Sequence, residues 1–299
     1  MAHAEKSRPR AHRFHLGTQA LLKRLAPATQ QNARAVGQYM IGAGRSSAPE
    51  GTAFIVASDA VRGRALALTA AHVTLYRDRA KQQVDFYPQG ADKPKVSAQV
   101  KRLVARNLRY DYTLVELELP PSMRDVRPIH LSAAPLATDM SVYAVGYPDL
   151  WTMHDWAISR KQGKRTLERP RFATILATGE VHRPETRLTR LDVHDPRRPQ
   201  WMSGGGAHFS TEGFSANVPT FRGSSGGPLF AKDGHGFVGL LNALDLKTLG
   251  MDKESNSYHW GIMAVPASRI VASLRHMLSA EGKTALLTGE VAPPKEMEA

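Results

Sequence analysis

The sequence predicts an all-β protein of short antiparallel strands, closed by one C-terminal α-helix. Two observations carry that expectation. From Val36 onward, short apolar runs alternate with Gly, Pro and polar clusters, the texture of antiparallel strands joined by turns. Only near the C-terminus does the apolar spacing turn clearly helical. There Ile270, Val271, Leu274, Met277 and Leu278 share one stripe, Pro266 sits where a helix begins, and Gly282 marks its end.

In chain order, residues 1–35 form a basic N-terminal arm carrying Lys6, Arg8, Arg10, Arg13, Lys23 and Arg24. A short helical piece is expected around Leu21, Leu22 and Leu25, with part of the arm packed on the body. A first unit, 36–132, holds candidate strands at 36–41, 52–56, 65–69, 83–87, 98–103 and 113–119. The Pro/Ala/Ser stretch 128–139 reads as a connector. A second unit, 133–265, holds candidate strands at 141–146, 171–179, 206–210, 228–230, 236–241 and 261–265. Two interruptions, the basic segment 161–171 and the Arg-rich segment 181–206, read as long surface loops, a class that often carries function. Residues 266–282 are the helix, and 283–299, with Pro293 and Pro294, form a loose tail.

At 299 residues and 32.8 kDa the chain is long enough to bury a substantial core. Its 42% hydrophobic and 22% charged residues exclude wholesale disorder. No run approaches the roughly 18 apolar residues of a membrane span. The absence of cysteine excludes disulfides, thiolate metal sites and a cysteine nucleophile. No His-Glu-x-x-His occurs, and Gly204-Gly205-Gly206 lacks the Gly-Lys ending of a phosphate loop, so neither metal nor cofactor is expected. Lys plus Arg at 40 against Asp plus Glu at 27 gives a formal charge of +13, a field that attracts acidic partners through the arm and the 181–206 segment. The basic N-terminus lacks the apolar core of about 7–15 residues that a secretory signal needs. The chain as written therefore reads as cytoplasmic, or as secreted or periplasmic if a leader has been removed.

Three segments carry chemistry together. In Leu66-Ala67-Leu68-Thr69-Ala70-Ala71-His72-Val73, a strand delivers a histidine after small residues that leave room around its ring. It follows the apolar run Gly51-Thr52-Ala53-Phe54-Ile55-Val56. In Tyr110-Asp111-Tyr112-Thr113-Leu114-Val115-Glu116-Leu117, an aspartate precedes an apolar strand. In Phe221-Arg222-Gly223-Ser224-Ser225-Gly226-Gly227-Pro228-Leu229, a serine sits among glycines ahead of another strand. A serine hydroxyl is a weak nucleophile at neutral pH and needs an adjacent base, so a histidine and a carboxylate to orient it are the natural companions.

These three blocks, in this order, resemble those of the chymotrypsin/trypsin-like serine peptidases, above all the bacterial cysteine-free members such as glutamyl endopeptidases and HtrA-type protease domains. The resemblance runs from about residue 36 to 278, and Val145-Gly146-Tyr147-Pro148 adds a match to the start of the second barrel. It implies two six-stranded antiparallel β-barrels with a C-terminal helix, and hydrolysis of peptide bonds in protein or peptide substrates. His72 would be the general base, Asp111 its orienting carboxylate, and Ser225 the nucleophile that forms an acyl-enzyme. The N–H groups of Gly223 and Ser225 would form the oxyanion hole.

Departures from the pattern carry information too. Family members activated by a freshly cut N-terminus hold an acid just before the nucleophile; this chain has Ser224, and no Ile-Val-Gly-Gly-like cut site precedes its first strand. The resemblance thus implies no switch of that kind. For the specificity pocket it implies Pro219 and Thr220 at the floor, Leu241, Asn242 and Ala243 on one wall, and Gly261 to Met263 on the other. Leu244 replaces a usual glycine and narrows the entrance. A floor without charge implies an uncharged, small-to-medium residue before the scissile bond, such as Leu, Met, Ala or Thr. Glutamyl endopeptidases place a histidine where Leu241 aligns, which argues against a glutamate preference. The alternative function is a peptidase-fold binding protein whose basic surface contacts nucleic acid or an acidic partner. The intact set of three residues favours the enzyme, and nucleic acid is not the expected partner.

Overall fold

The structure is a computed structural model that describes residues 14–16, 23, 26–42, 48–74, 81–89, 94–131, 135–147, 175–190, 209–218, 223–232, 236–244, 250–252, 257–259 and 262–280. A short strand β1 (Phe14–Leu16) and a helix α1 (Pro27–Arg34) come first. Six strands follow: β2 (Val36–Ile41), β3 (Ala48–Asp59), β4 (Arg64–Ala70), β5 (Gln82–Phe86), β6 (Val96–Asn107) and β7 (Tyr112–Glu118), with the single helical turn α2 (Ala71–Thr74) after β4. They close in the order β2-β3-β4-β7-β6-β5. The second set is β8 (Ser141–Gly146), β9 (Ile175–Arg190), β10 (Phe209–Ala216), β11 (Pro228–Ala231), β12 (Phe237–Leu244), a small hairpin of β13 (Gly250–Asp252) and β14 (Ser257–His259), and β15 (Ile262–Pro266). The ring β8-β9-β10-β15-β12-β11 closes because β9 also pairs with β8. Helix α3 (Ala267–Ala280) ends the described chain, and no helix among the described residues is long and apolar enough to cross a membrane. Two closed six-stranded antiparallel barrels and a C-terminal helix are thus the observed architecture.

Burial explains why the barrels meet where they do. One apolar cluster fills the first barrel, continues through Tyr143, Val145, Tyr147, Phe230 and Phe237 of the second, and ends on α3 at Ile270, Leu274 and Leu278. The rings of Phe54 in β3 and Phe237 in β12 lie 5.4 Å apart across this junction. Each such ring, fully buried, contributes about 1.5–3 kcal/mol relative to exposure. A separate cluster around Val142, Val181, Phe214 and Ala264 fills the second barrel. Helix α3 reaches back to the first barrel, where Ser273 Oγ meets Tyr112 OH at 2.8 Å and accepts from Asn107 Nδ2 at 2.8 Å. One apolar cluster therefore spans the junction between the two barrels, and a second lies within the second barrel.

On β7, burial pushes the Glu116 carboxyl up, but Arg102 at 2.5 Å and Arg64 at 2.8 Å outweigh it and hold the group below the usual carboxylate range. A lowered folded value means stability that is present at neutral pH and fades as acid protonates the group. Both arginines are more than half exposed, so the contribution is small.

The sequence reading needs correction at several elements. Residues 181–190 are not loop: they complete β9, which pairs with β10 from Arg190↔Phe209 to Val181↔Ala216. The pairing sets Arg187 opposite Glu212, so arginines that read as a surface loop lie on a strand. Residues 191–206 lie outside the described residues, as do 161–171 and the helical piece around Leu21. The expected strand at 206–210 is instead β10, shifted to Phe209–Ala216. In the arm, β1 pairs with the start of β9, and α1 buries Thr29 and Ala33 against the body. Helix α1 offers too few apolar residues for a periodic signal, and β13–β14 are too short and polar to register as strands.

Candidate active site

Turns at the ends of β4, β7 and β11 set the reactive side chains at the barrel junction. Strand β4 ends at Ala70, and α2 carries His72 beyond it. Just before β7, Tyr110 N–H donates to Asn107 Oδ1 at 3.0 Å and closes a turn. That turn puts Asp111 at φ 48°, a left-handed conformation that aspartate tolerates better than most residues. The Asp111 carbonyl then accepts from Ala71 N–H at 3.0 Å. Its carboxylate meets His72 twice: Oδ1 accepts from the backbone N–H at 2.8 Å and Oδ2 lies 2.7 Å from ring Nδ1. A carboxylate on Nδ1 holds that nitrogen protonated and leaves Nε2 as the basic site. The two side chains are only 16% and 15% exposed, so water screens their attraction weakly.

Ser225 sits in the glycine turn ahead of β11. Gly223 and Gly226 have φ of 94° and 84°. A Cβ on Gly226 would fall onto Thr52 O, Thr69 Oγ1 and Ala70 N, so the turn needs glycine there for conformation and for space. Leu241 O accepts from Gly226 N–H at 2.7 Å, tying the turn to β12. Thr52, on β3 of the first barrel, ties it to the other side. Its N–H donates to Ser225 O at 2.8 Å and its hydroxyl to Gly223 O at 2.8 Å, while the same hydroxyl accepts from Tyr147 N–H at 3.0 Å. Two carbonyls of the turn, those of Gly223 and Ser225, are thus occupied by Thr52, and that of Ser224 accepts from Gly227 N–H at 2.9 Å. The N–H groups of Gly223 and Ser225 find no acceptor among the described residues. Among the described residues these two donors are left open to a further acceptor, the kind of group that can receive a developing negative charge.

Asn242 connects the parts. Its Nδ2 donates to Asp111 Oδ2 at 2.9 Å and to Asp111 O at 3.3 Å, and its Oδ1 accepts from Val265 N–H at 3.3 Å. Its backbone carbonyl accepts from Ser225 Oγ at 3.5 Å. Among the described residues, no hydrogen bond joins Ser225 to His72; such bonds are often long before substrate arrives. His72, Asp111, Ser225, Gly223 and Asn242 therefore converge. The Asn242 side chain turns to the aspartate, a contact that strand alternation alone does not reveal. Leu241 is buried, and Ala243 lies in register with Met263 across the β12–β15 pair. Pro219, Thr220 and Gly261 lie outside the described residues. Ser224, just before Ser225, is buried. The role of Thr52 escaped the sequence reading; its one signal was a hydroxyl inside an apolar strand run.

The model of the trypsin-like peptidase domain matches residues 51–240. The chain belongs to that family. This trypsin-like peptidase domain is a serine endopeptidase by family, with protein or peptide as its substrate class. Its fold is similar to that of the active form of the Rv3671c protease from M. tuberculosis, at 18% identity over 92% of this chain and 93% of that one, TM-score 0.52. The HtrA-type protease AlgW, solved with a decapeptide, matches at 14% identity over 86% of this chain and 68% of its own, TM-score 0.50. Both likenesses speak to the fold alone. A search of curated protein sequences finds no match.

Proposed function

We propose that this domain cleaves peptide bonds through a triad of Ser225, His72 and Asp111. The observation that carries the proposal is the Asp111 carboxylate held on His72 Nδ1 at 2.7 Å, at the junction that also holds the Ser225 turn. In the mechanism, His72 Nε2 takes the Ser225 proton as Oγ attacks the carbonyl carbon. The developing oxyanion is received by the Gly223 and Ser225 N–H groups, each such donor being worth roughly 3–4 kcal/mol in the transition state. His72 then protonates the leaving amine, and an acyl-enzyme on Ser225 remains. Water, deprotonated by the same imidazole, releases the acid product. The uncharged Ser224 supports activity without a new N-terminal ammonium group as a partner.

The division of the chain at 1–35, 36–132, 133–265, 266–282 and 283–299 belongs to the same proposal, with one triad side on each barrel. Asn242 acts as a positioning residue: it holds Asp111 and its own carbonyl meets the serine hydroxyl. Asn242→Ala should lower kcat roughly 10-fold, the cost of one hydrogen bond to a charged group, and leave KM within a factor of two. Asn242→Ser, which keeps a donor, should recover part of kcat. Equal loss in kcat and gain in KM for both variants would make Asn242 a pocket wall instead.

The pocket floor of Pro219 and Thr220 carries no charge, and it supports a preference for Leu, Met, Ala or Thr before the scissile bond. A peptide library incubated with the full chain tests both parts. Cleavage after such residues, absent from Ser225→Ala, is the expected result. Cleavage concentrated after Arg, Lys or Glu would overturn the pocket reading, and a folded wild type that cleaves nothing would overturn the activity.

A further inference from the structure

An open cleft of about 760 Å³ lies away from the active-site cluster, between α1, the segments flanking residues 88 and 94, and the turn at 122–127. Its volume falls in the range of ligand-binding clefts. Its walls include Pro27 and Pro94, rigid apolar surfaces that lose no conformational freedom when covered. Its charge is uneven. Lys95 is neutralised by the buried Asp85 at 2.5 Å. Among the described residues, Arg34 and Arg127 are exposed and form no ion pair, and Asp125 is the one acid on the cleft's walls. A cleft with unspent guanidinium groups attracts carboxylates.

One segment of this chain carries the complementary chemistry. Residues 290–298 hold Glu290, Glu296 and Glu298 against Lys295, and contain Pro293-Pro294. They form an acidic segment in a sequence with net charge +13. A Pro-Pro pair lowers the entropy lost when a segment is bound extended. The linking residues 281–289 can span up to about 30 Å when extended. We propose that this cleft docks the chain's own C-terminal segment, with Glu296 and Glu298 meeting Arg34 and Arg127 and Pro293-Pro294 lying against the proline walls. The sequence suggests an acidic partner for the N-terminal arm and the Arg-rich 181–206 segment; Arg34, on α1, belongs to that arm, and Arg127 adds a second guanidinium from the first barrel. This inference does not rest on proteolytic activity.

The chain has no cysteine, so a disulfide between two introduced cysteines reports proximity without background. The experiment uses full-length Gln31→Cys/Met297→Cys and, as a control, Leu108→Cys/Met297→Cys, each oxidised under the same conditions. Leu108 is 43% exposed and lies next to Asn107, which contacts α3, so an undocked tail reaches it readily. Docking predicts intramolecular cross-linking at Gln31 at least about 10-fold faster than at Leu108, through the raised effective concentration of a bound segment. Adding Arg34→Glu and Arg127→Glu, or raising salt, should abolish that difference. If the charge-reversed protein melts early, a labelled peptide of residues 283–299 is titrated instead into full-length Glu290→Gln/Glu296→Gln/Glu298→Gln, where saturable, salt-sensitive binding is expected. Equal cross-linking rates at the two positions, disulfides only between chains, insensitivity to charge, or peptide that fails to bind would each overturn the proposal. Protection of the cleft by polyphosphate or DNA but not by the acidic peptide would overturn it too, and would assign the cleft to a phosphate-bearing ligand.

Discussion

Ser225→Ala should reduce kcat/KM for peptide hydrolysis by about 10⁵- to 10⁶-fold, the scale on which a whole triad collapses when its nucleophile goes. The residual rate reflects substrate binding and the two turn N–H groups, which alanine leaves in place. Folding should hardly change. Among the described residues, Ser225 Oγ makes one long bond, at 3.5 Å, to a carbonyl, so its removal strands no strong partner there. The anchors of the turn, Thr52 to Gly223 O and Ser225 O, are backbone contacts that survive the substitution. A melting temperature within about 1 °C of wild type, together with the activity loss, would separate chemistry from stability. His72→Ala should lose nearly as much, and the double variant no more than either alone, because the residues act as a unit.

Asp111→Asn should lower kcat by about 10⁴-fold, the size this change has in a trypsin-like triad. The substitution is nearly isosteric, and asparagine tolerates the left-handed φ of 48° that alanine would strain. The loss therefore reports on charge and tautomer. An amide nitrogen facing His72 Nδ1 donates where the carboxylate accepts, so the imidazole proton moves to Nε2 and the base faces the wrong way. Asn242 adds a second conflict, since its Nδ2 donor at 2.9 Å then competes for the one remaining acceptor oxygen. A chemical-shift measurement on His72 should find the proton on Nε2 in the variant and on Nδ1 in wild type. A loss below about 10-fold would remove Asp111 from the triad and return attention to other carboxylates.

The fold was legible in the sequence where periodicity and burial agree. β2 and β8 have the bounds the sequence predicts, because each is stopped by a clear breaker, Gly42 just after β2 and Pro148 just after β8. β9 was not, because Arg183, Arg187 and Arg190 suppress the apolar signal that pairing with β10 makes unnecessary. The candidate site was legible as three local motifs, since His72, Asp111 and Ser225 each sit beside a strand that announces them. Thr52 and Asn242 were not legible as structural links. Their significance lies in contacts across 171 and 131 residues of chain, to Gly223 and Asp111, which no local pattern records.

The most direct test of the central claim is labelling with a fluorophosphonate probe followed by peptide mapping of the adduct. The probe phosphonylates a serine only when its hydroxyl is activated and its oxyanion is received. The account predicts stoichiometric modification of Ser225 in wild type and none in Ser225→Ala or His72→Ala. An unlabelled but folded wild type, a label on another residue, or equal labelling of His72→Ala would contradict it.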